Sequence, residues 1–197
     1  MATLENQQSV YCPALFLTAP ASGQGKTTVT AALARMLKRQ GKVVRVFKTG
    51  PDFLDPQILA QASGEHVEQL DLWMAGENYC RYQFYQAAKE ADLIIVEGAM
   101  GMFDGDPSSA DLAATFNIPM AIVMDVKGMA QTAAAIAMGL ANYRDDVKIA
   151  GQSGIAANIT EKGKIVQGPM AFDIKEFQRS YIIFKKLPEM YKILLSL

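Results

Sequence analysis

The run Ser22-Gly23-Gln24-Gly25-Lys26-Thr27-Thr28 holds the residues best suited to chemistry. Two glycines let the backbone wrap so that successive N–H groups aim at one point, and a helix starting beyond them adds a partial positive charge. Such a cradle takes phosphate oxygens. A lysine at position 26 reaches the outer phosphates of a nucleotide, and the Thr27 hydroxyl suits a Mg²⁺ ligand. Pro20 stands where the strict phosphate-loop pattern has its first glycine. It removes one backbone donor and leaves the inner cradle intact.

Magnesium takes oxygen ligands, usually with one or two carboxylates. Glu97 follows the apolar residues Leu93 to Val96 directly and is followed by "GAMG", a poor setting for an ordinary solvated acid. Asp52 and Asp55 lie in "PDFLDP", where Pro51 and Pro56 also suit a turn or a helix cap. Glu97 and Asp52 are the candidate metal acids.

These residues need a frame, and the apolar pattern supplies one. Short apolar runs at 14–19, 42–50, 91–101, 118–126 and 147–151 read as strands. A helix follows the first, with Val29, Ala32, Leu33, Met36 and Leu37 at three- and four-residue spacing and Gly41 to end it. A second helix is expected over Gln131–Tyr143. Strands alternating with helices predict an α/β fold of P-loop NTPase type, a parallel sheet with helices on both faces. Ligands of such sheets sit beyond the carboxyl ends of the strands. The loops at 22–28, 48–55, 97–106 and 125–131 are all expected there.

Bulk properties narrow the function. A chain of 197 residues supports one good core, and its formal charge of −1 offers no electrostatic case for nucleic acid or an anionic membrane. Cys12 and Cys80 lie too far apart for a metal or redox motif, which suits reduced thiols in a cytoplasmic protein. No signal-peptide pattern opens the sequence, and the longest apolar stretch, Met129 to Leu140, is too short to span a bilayer. The methionines at 100, 102, 120, 124, 129 and 138 are expected mainly in the core.

"TAPASGQGKTTVT", "FKTGPDFLDP", "LDLWMAGE", "LIIVEGAMGMFDG" and "DVKGMAQTAAA" together resemble the cobyrinic acid a,c-diamide synthases, within the group that includes cobyric acid synthase and dethiobiotin synthetase. The resemblance runs from about residue 15 to residue 151, and "APASG" is a natural start of the phosphate loop in that group. It implies ATP- and Mg²⁺-dependent amidation of the a and c carboxylates of a corrin acid, through an acyl phosphate, in cobalamin biosynthesis. It also implies roles for residues: Ser22 to Thr28 and Lys48 on ATP, Thr27, Asp52 and Glu97 on the metal. Lys26, Asp52, Asp55 and Glu97 would form the catalytic set. Asp55, Asp104, Lys127 and Gln131 would face the acceptor, cobyrinic acid or a related tetrapyrrole carboxylate.

The sequence departs from that family in its second half. Family members continue into a glutamine amidotransferase domain with a Cys nucleophile and a His base. Neither cysteine here has a nucleophile's setting, and His66, the single histidine, has none of a base's. Nitrogen is therefore expected from free ammonia or a separate glutaminase. The chain divides into a P-loop amidoligase-type domain, 1–151, and a divergent segment, 152–197. In the latter, basic residues outnumber acidic ones, "NITEKGKIVQGPMAFD" faintly resembles a stretch of phosphate acetyl- and butyryltransferases, and Asn158 is a candidate for the base pocket. Phe177, Tyr181, Phe184 and Leu187 show helical spacing, suited to packing on the same domain or to a homodimer contact.

Two other classes stay open on the sequence. One is a regulatory ATPase like the cell-division and plasmid-partition proteins; Ala21 stands where those usually carry a second lysine, which counts against it. The other is an inactive remnant or scaffold, supported by the missing half.

Overall fold

Apolar runs too short for helices, each followed by a longer amphipathic stretch, give strands joined by helical crossovers. The computed structural model describes residues 10–150 with 166–167 and 172–173. The readings placed on the tail helix and on Asn158 lie outside the described residues. In chain order the elements are β1 (Ala14–Thr18), α1 (Lys26–Arg39), β2 (Val44–Lys48), α2 (Asp55–Ser63), β3 (Glu68–Gln69), α3 (Leu72–Ala75) and α4 (Glu77–Glu90). There follow β4 (Leu93–Glu97), α5 (Ser109–Phe116), β5 (Met120–Ile122) and α6 (Gln131–Asn142), then the antiparallel pair β6 (Val166–Gln167) and β7 (Phe172–Asp173).

Five strands form one parallel sheet in the order β3-β2-β4-β1-β5. Alternate residues of each strand face opposite layers, so a strand covered on both sides must be apolar throughout. β4 shows this: Ile94 and Val96 join Phe16 and Phe47 against Cys80 and Ala87 of α4 and Leu112 of α5. Ile95 joins Leu17, Val44 and Val46 on the other face, against Ala31 and Ala34 of α1 and Leu59 of α2. Each fully buried Phe, Ile or Val contributes roughly 1.5–3 kcal/mol relative to exposure.

Local signals set the helix ends. Ser108 and Asp111 form a reciprocal capping box at the start of α5, and Asn117, in the left-handed conformation, ends it. Gly64, at φ 79°, ends α2.

Several expectations change. The buried side of α1 is Thr30, Ala31, Ala32 and Ala34, with Val29, Leu33, Met36 and Leu37 only half-buried. Small side chains let this helix lie close on the sheet, and the larger ones fall to its flanks. Residues 118–126 pair over three positions only. Of the strand expected over 147–151, the described residues, 147–150, form only a single parallel bridge, Met120 to Ile149. β3 was not expected: its residues, Glu68 and Gln69, carry no apolar alternation because they sit at the sheet edge beside Phe47 and Lys48. Met102 and Met120 fill the core, whereas Met100, Met129 and Met138 are exposed. The alanine-rich α6 buries none of its residues. No helix among the described residues is long and apolar enough to cross a membrane.

Parallel pairing sends the loops after β1, β2, β4 and β5 to one edge, and hydrogen bonds tie them together there. Thr49 N donates to Glu97 O and Gly98 N to Leu17 O, both at 2.9 Å. Met102 N donates to Ala19 O at 2.8 Å. Asp125 N donates to the Gln24 side chain, also at 2.8 Å.

Candidate active site

The loop from β1 to α1 needs backbone that a β-carbon resists. Gly23 and Gly25 take φ values of 77° and 89°, and Gly25 is the N-cap of α1. No side chain caps that helix, so its first N–H groups are available to an anion.

Lys26 is the first residue of α1 and is buried. Its ammonium donates to Met100 O at 2.6 Å and to Ala21 O at 3.3 Å. Burial first, then the nearby Lys48 charge, lowers its pKa. Two carbonyls, one from the loop after β1 and one from the loop after β4, thus hold the lysine at the base of the loop.

Thr27 faces two acids. Its hydroxyl lies 2.7 Å from Glu97 Oε1 and 3.0 Å from Asp55 Oδ2. One hydroxyl proton serves one carboxylate, so the pair of acids exceeds the donors that Thr27 can offer. Glu97, at the end of β4, is 0% exposed, and its Oε2 has no hydrogen-bond partner. Lys48, at the end of β2 and 3% exposed, stands 3.5 Å from Glu97 Oε1 and 3.9 Å from Asp55 Oδ2. Burial raises the Glu97 pKa despite Lys48 and Thr27. Burial and the Asp52 side chain raise that of Asp55.

Asp52 does different local work. Its Oδ1 accepts from Leu54 N at 3.0 Å and Asp55 N at 3.1 Å, which fixes the turn into α2. Burial pushes its pKa up, but these bonds, the Asp55 side chain and Lys48 outweigh it and hold the carboxyl low. Gln69 joins the same turn, its amide nitrogen donating to Lys48 O at 2.9 Å and Gly50 O at 3.0 Å.

A cavity of about 520 Å³ opens over this cluster. Of the expected site residues, Ser22, Gly23, Gly25, Lys26, Thr27, Thr28, Lys48, Asp52, Asp55 and Glu97 line it. Gln24 does not; it ties the loop to Asp125 instead. A second cavity of about 380 Å³ shares Gly50, Pro51, Ala99 and Met100 with the first. It holds Asp104, whose Oδ2 accepts from Gly101 N at 3.2 Å, together with Leu72, Trp73 and Leu112. Lys127 and Gln131 are exposed and line neither cavity.

The donor set fits Mg²⁺. A buried carboxylate oxygen without a partner, a second carboxylate and a hydroxyl converge beside the phosphate cradle. No cluster of three or more His, Cys, Asp or Glu among the described residues could hold a metal by itself. Magnesium commonly takes one or two carboxylates and leaves its other positions to phosphate and water.

Among the described residues no thiol is poised as a nucleophile. Burial raises the pKa of both Cys12 and Cys80, and His66 is exposed.

Sequence reasoning missed Met100 and Gln69. A main-chain carbonyl has no sequence signal, and the role of Gln69 depends on an edge strand that no periodicity marks. Trp73, 80% exposed at the second cavity, did have one: a large apolar side chain inside the motif "LDLWMAGE".

Known proteins resemble this chain in two ways. Hydrogenobyrinate a,c-diamide synthase of Stutzerimonas stutzeri is 56% identical over 164 residues, 83% of this chain and 38% of the relative. Hydrogenobyrinate a,c-diamide synthase of Pseudomonas aeruginosa is 61% identical over 143 residues, 73% of this chain and 33% of the relative. The chain therefore spans less than two fifths of the length of these curated relatives. The crystal structure of the signal recognition particle receptor FtsY from Elizabethkingia anophelis superposes with a TM-score of 0.53 at 17% identity, covering 72% of this chain and 51% of that one. At that identity the likeness concerns the fold alone. The family model of the CobQ/CobB/MinD/ParA nucleotide binding domain matches residues 15–158, and this chain, with its glycine cradle and the acids facing it, belongs to that family.

Proposed function

We propose that residues 1–151 form the nucleotide-dependent half of an amidoligase that converts the a and c carboxylates of cobyrinic acid, or of a closely related corrin acid, to amides. The observation that carries this is the meeting of Lys26, Thr27, Lys48, Asp55 and Glu97 in one cavity at the N-terminus of α1. The named activity of the relatives supplies the acceptor.

A carboxylate resists attack by ammonia because its leaving group would be oxide. Transfer of the γ-phosphoryl group of ATP to a carboxylate oxygen forms one P–O bond and breaks another, leaving ADP and an acyl phosphate. Ammonia then bonds to the acyl carbon, phosphate departs with the C–O electron pair, and the nitrogen loses a proton. The main barrier is the approach of two anions, so catalysis here is positioning and charge.

Each residue takes part of that task. The glycine loop and the N-terminus of α1 receive the phosphates. Lys26 and Lys48 bring positive charge to the transferred group from the start of α1 and the end of β2. Thr27, Asp55 and Glu97 would hold Mg²⁺, and Asp52 joins them through the turn that sets Asp55. When bound, the metal supplies charge neutralisation at the phosphoryl oxygens. The acceptor enters from the second cavity past Asp104.

The nitrogen arrives as ammonia, either free or released from glutamine by a glutaminase; Cys12 and Cys80, whose pKa values burial raises, are not suited to releasing it. Calorimetry with Mg·ATP, then amide formation from cobyrinic acid with either ammonium or glutamine, tests the reading. Nucleotide binding and ammonium-driven amidation support it. Failure to bind Mg·ATP, or glutamine-driven turnover by this chain alone, overturns it.

A further inference from the structure

Met100 stands in the wall between the two cavities and lines both. Its φ of 50° is a left-handed conformation that a β-carbon disfavours, and Asn117, a helix cap, is the other non-glycine residue described there. Glycine would meet that backbone demand without strain. The side chain must therefore matter, or the backbone must be held from outside.

Both conditions hold. On the main-chain side, Met100 O accepts from Lys26 Nζ at 2.6 Å, the shorter of the two bonds that locate this ammonium. The residues around it are pinned: Ala99 N donates to Thr49 Oγ1, and Met102 N to Ala19 O, each at 2.8 Å. On the side-chain side, Met100 is 50% exposed and its methyl lies 2.8 Å from where a β-carbon on Gly105 would stand. One residue thus touches the phosphate-loop lysine through its carbonyl and the floor of the second cavity through its thioether.

We propose that Met100 is a positioning residue joining the two cavities. Its carbonyl locates the Lys26 ammonium, and its side chain sets how the apolar body of the acceptor lies when a peripheral carboxylate reaches the phosphoryl group. This rests on the reading that the acceptor enters through the second cavity. A thioether is suited to the task, being apolar, polarisable and able to follow an irregular surface. Trp73 and Leu112 provide further apolar surface in the same cavity.

The test separates main chain from side chain. Met100→Gly keeps the carbonyl and removes the thioether, Met100→Ala does the same with the β-carbon retained, Met100→Leu restores apolar bulk, and Met100→Val opposes the left-handed backbone. Each is titrated with a magnesium-loaded non-hydrolysable ATP analogue, then with cobyrinic acid, and melted as a check on folding. Met100→Gly and Met100→Ala should bind the analogue within about twofold of wild type and cobyrinic acid at least about tenfold more weakly. Met100→Leu should recover the acceptor affinity, and Met100→Val should weaken the analogue too. Unchanged cobyrinic acid binding in Met100→Ala, or equal losses of both ligands, overturns the proposal while the wider function stands. A wild-type chain that binds the analogue but takes up no cobyrinic acid removes the acceptor reading and this proposal together.

Discussion

Thr27 and Glu97 lie seventy positions apart in sequence and share a 2.7 Å hydrogen bond at the edge of the sheet. The contact exists because β1 and β4 are neighbours, with Leu17 in register with Glu97. The first residues of α1 and the last residue of β4 are thereby brought to one point, where a hydroxyl meets an acid that has an oxygen to spare.

Lys26→Ala removes the cation at the base of the phosphate loop and frees the carbonyls of Met100 and Ala21, which water can reach through the open cavity. Nucleotide affinity should fall by at least about tenfold, more than 1.4 kcal/mol, with the chain still folded. Calorimetry with a thermal melt checks this. Affinity close to wild type would end the case for Lys26 as the phosphate contact.

Glu97 must be ionised to hold a cation, and burial raises its pKa. Magnesium-dependent nucleotide binding should therefore weaken on acidification from above the ordinary carboxylate range. Stability moves the other way. A carboxyl with a raised folded pKa costs stability as pH rises from its unfolded value through its folded one. The stability of Glu97→Gln relative to wild type should thus grow with pH across that window, while its magnesium response is lost. A difference in melting temperature that stays flat with pH would contradict the assignment.

Asp52 can be tested apart from the metal acids. Asp52→Asn preserves an acceptor for Leu54 N and Asp55 N, whereas Asp52→Ala does not. The alanine variant should lose about 1 kcal/mol of stability and the asparagine variant much less. If both lose nucleotide binding equally at unchanged stability, Asp52 acts through its charge rather than through the turn.

Ser108→Ala breaks the capping box of α5 and should cost about 1 kcal/mol, read by denaturant unfolding. Nucleotide affinity should stay as it was, because Ser108 lines only the second cavity. A matching loss of nucleotide binding would mean that α5 supports the phosphate loop directly.

Strands buried on both faces were legible because covering a strand twice forces an unbroken apolar run, as in Leu93 to Val96. The phosphate loop was legible because its glycines and lysine must be adjacent in sequence to be adjacent in space. β3 was not, since an edge strand of Glu68 and Gln69 has no buried face to mark it. α4 left a faint trace, Cys80, Phe84, Ala87 and Ala88 at helical spacing, diluted by tyrosines on its outer side. Within the site, side chains could be proposed one at a time. The carbonyls that hold Lys26 could not, because every residue has one.

Lys48 is almost wholly sealed from solvent. Dissolved ions weaken attraction between exposed charges beyond roughly 8 Å at physiological ionic strength, but they scarcely reach a cation lying under the sheet edge. The attraction between Lys48 and an anion already seated in the cavity should consequently differ little between dilute buffer and a concentrated electrolyte, unlike that of lysines spread over an outer surface.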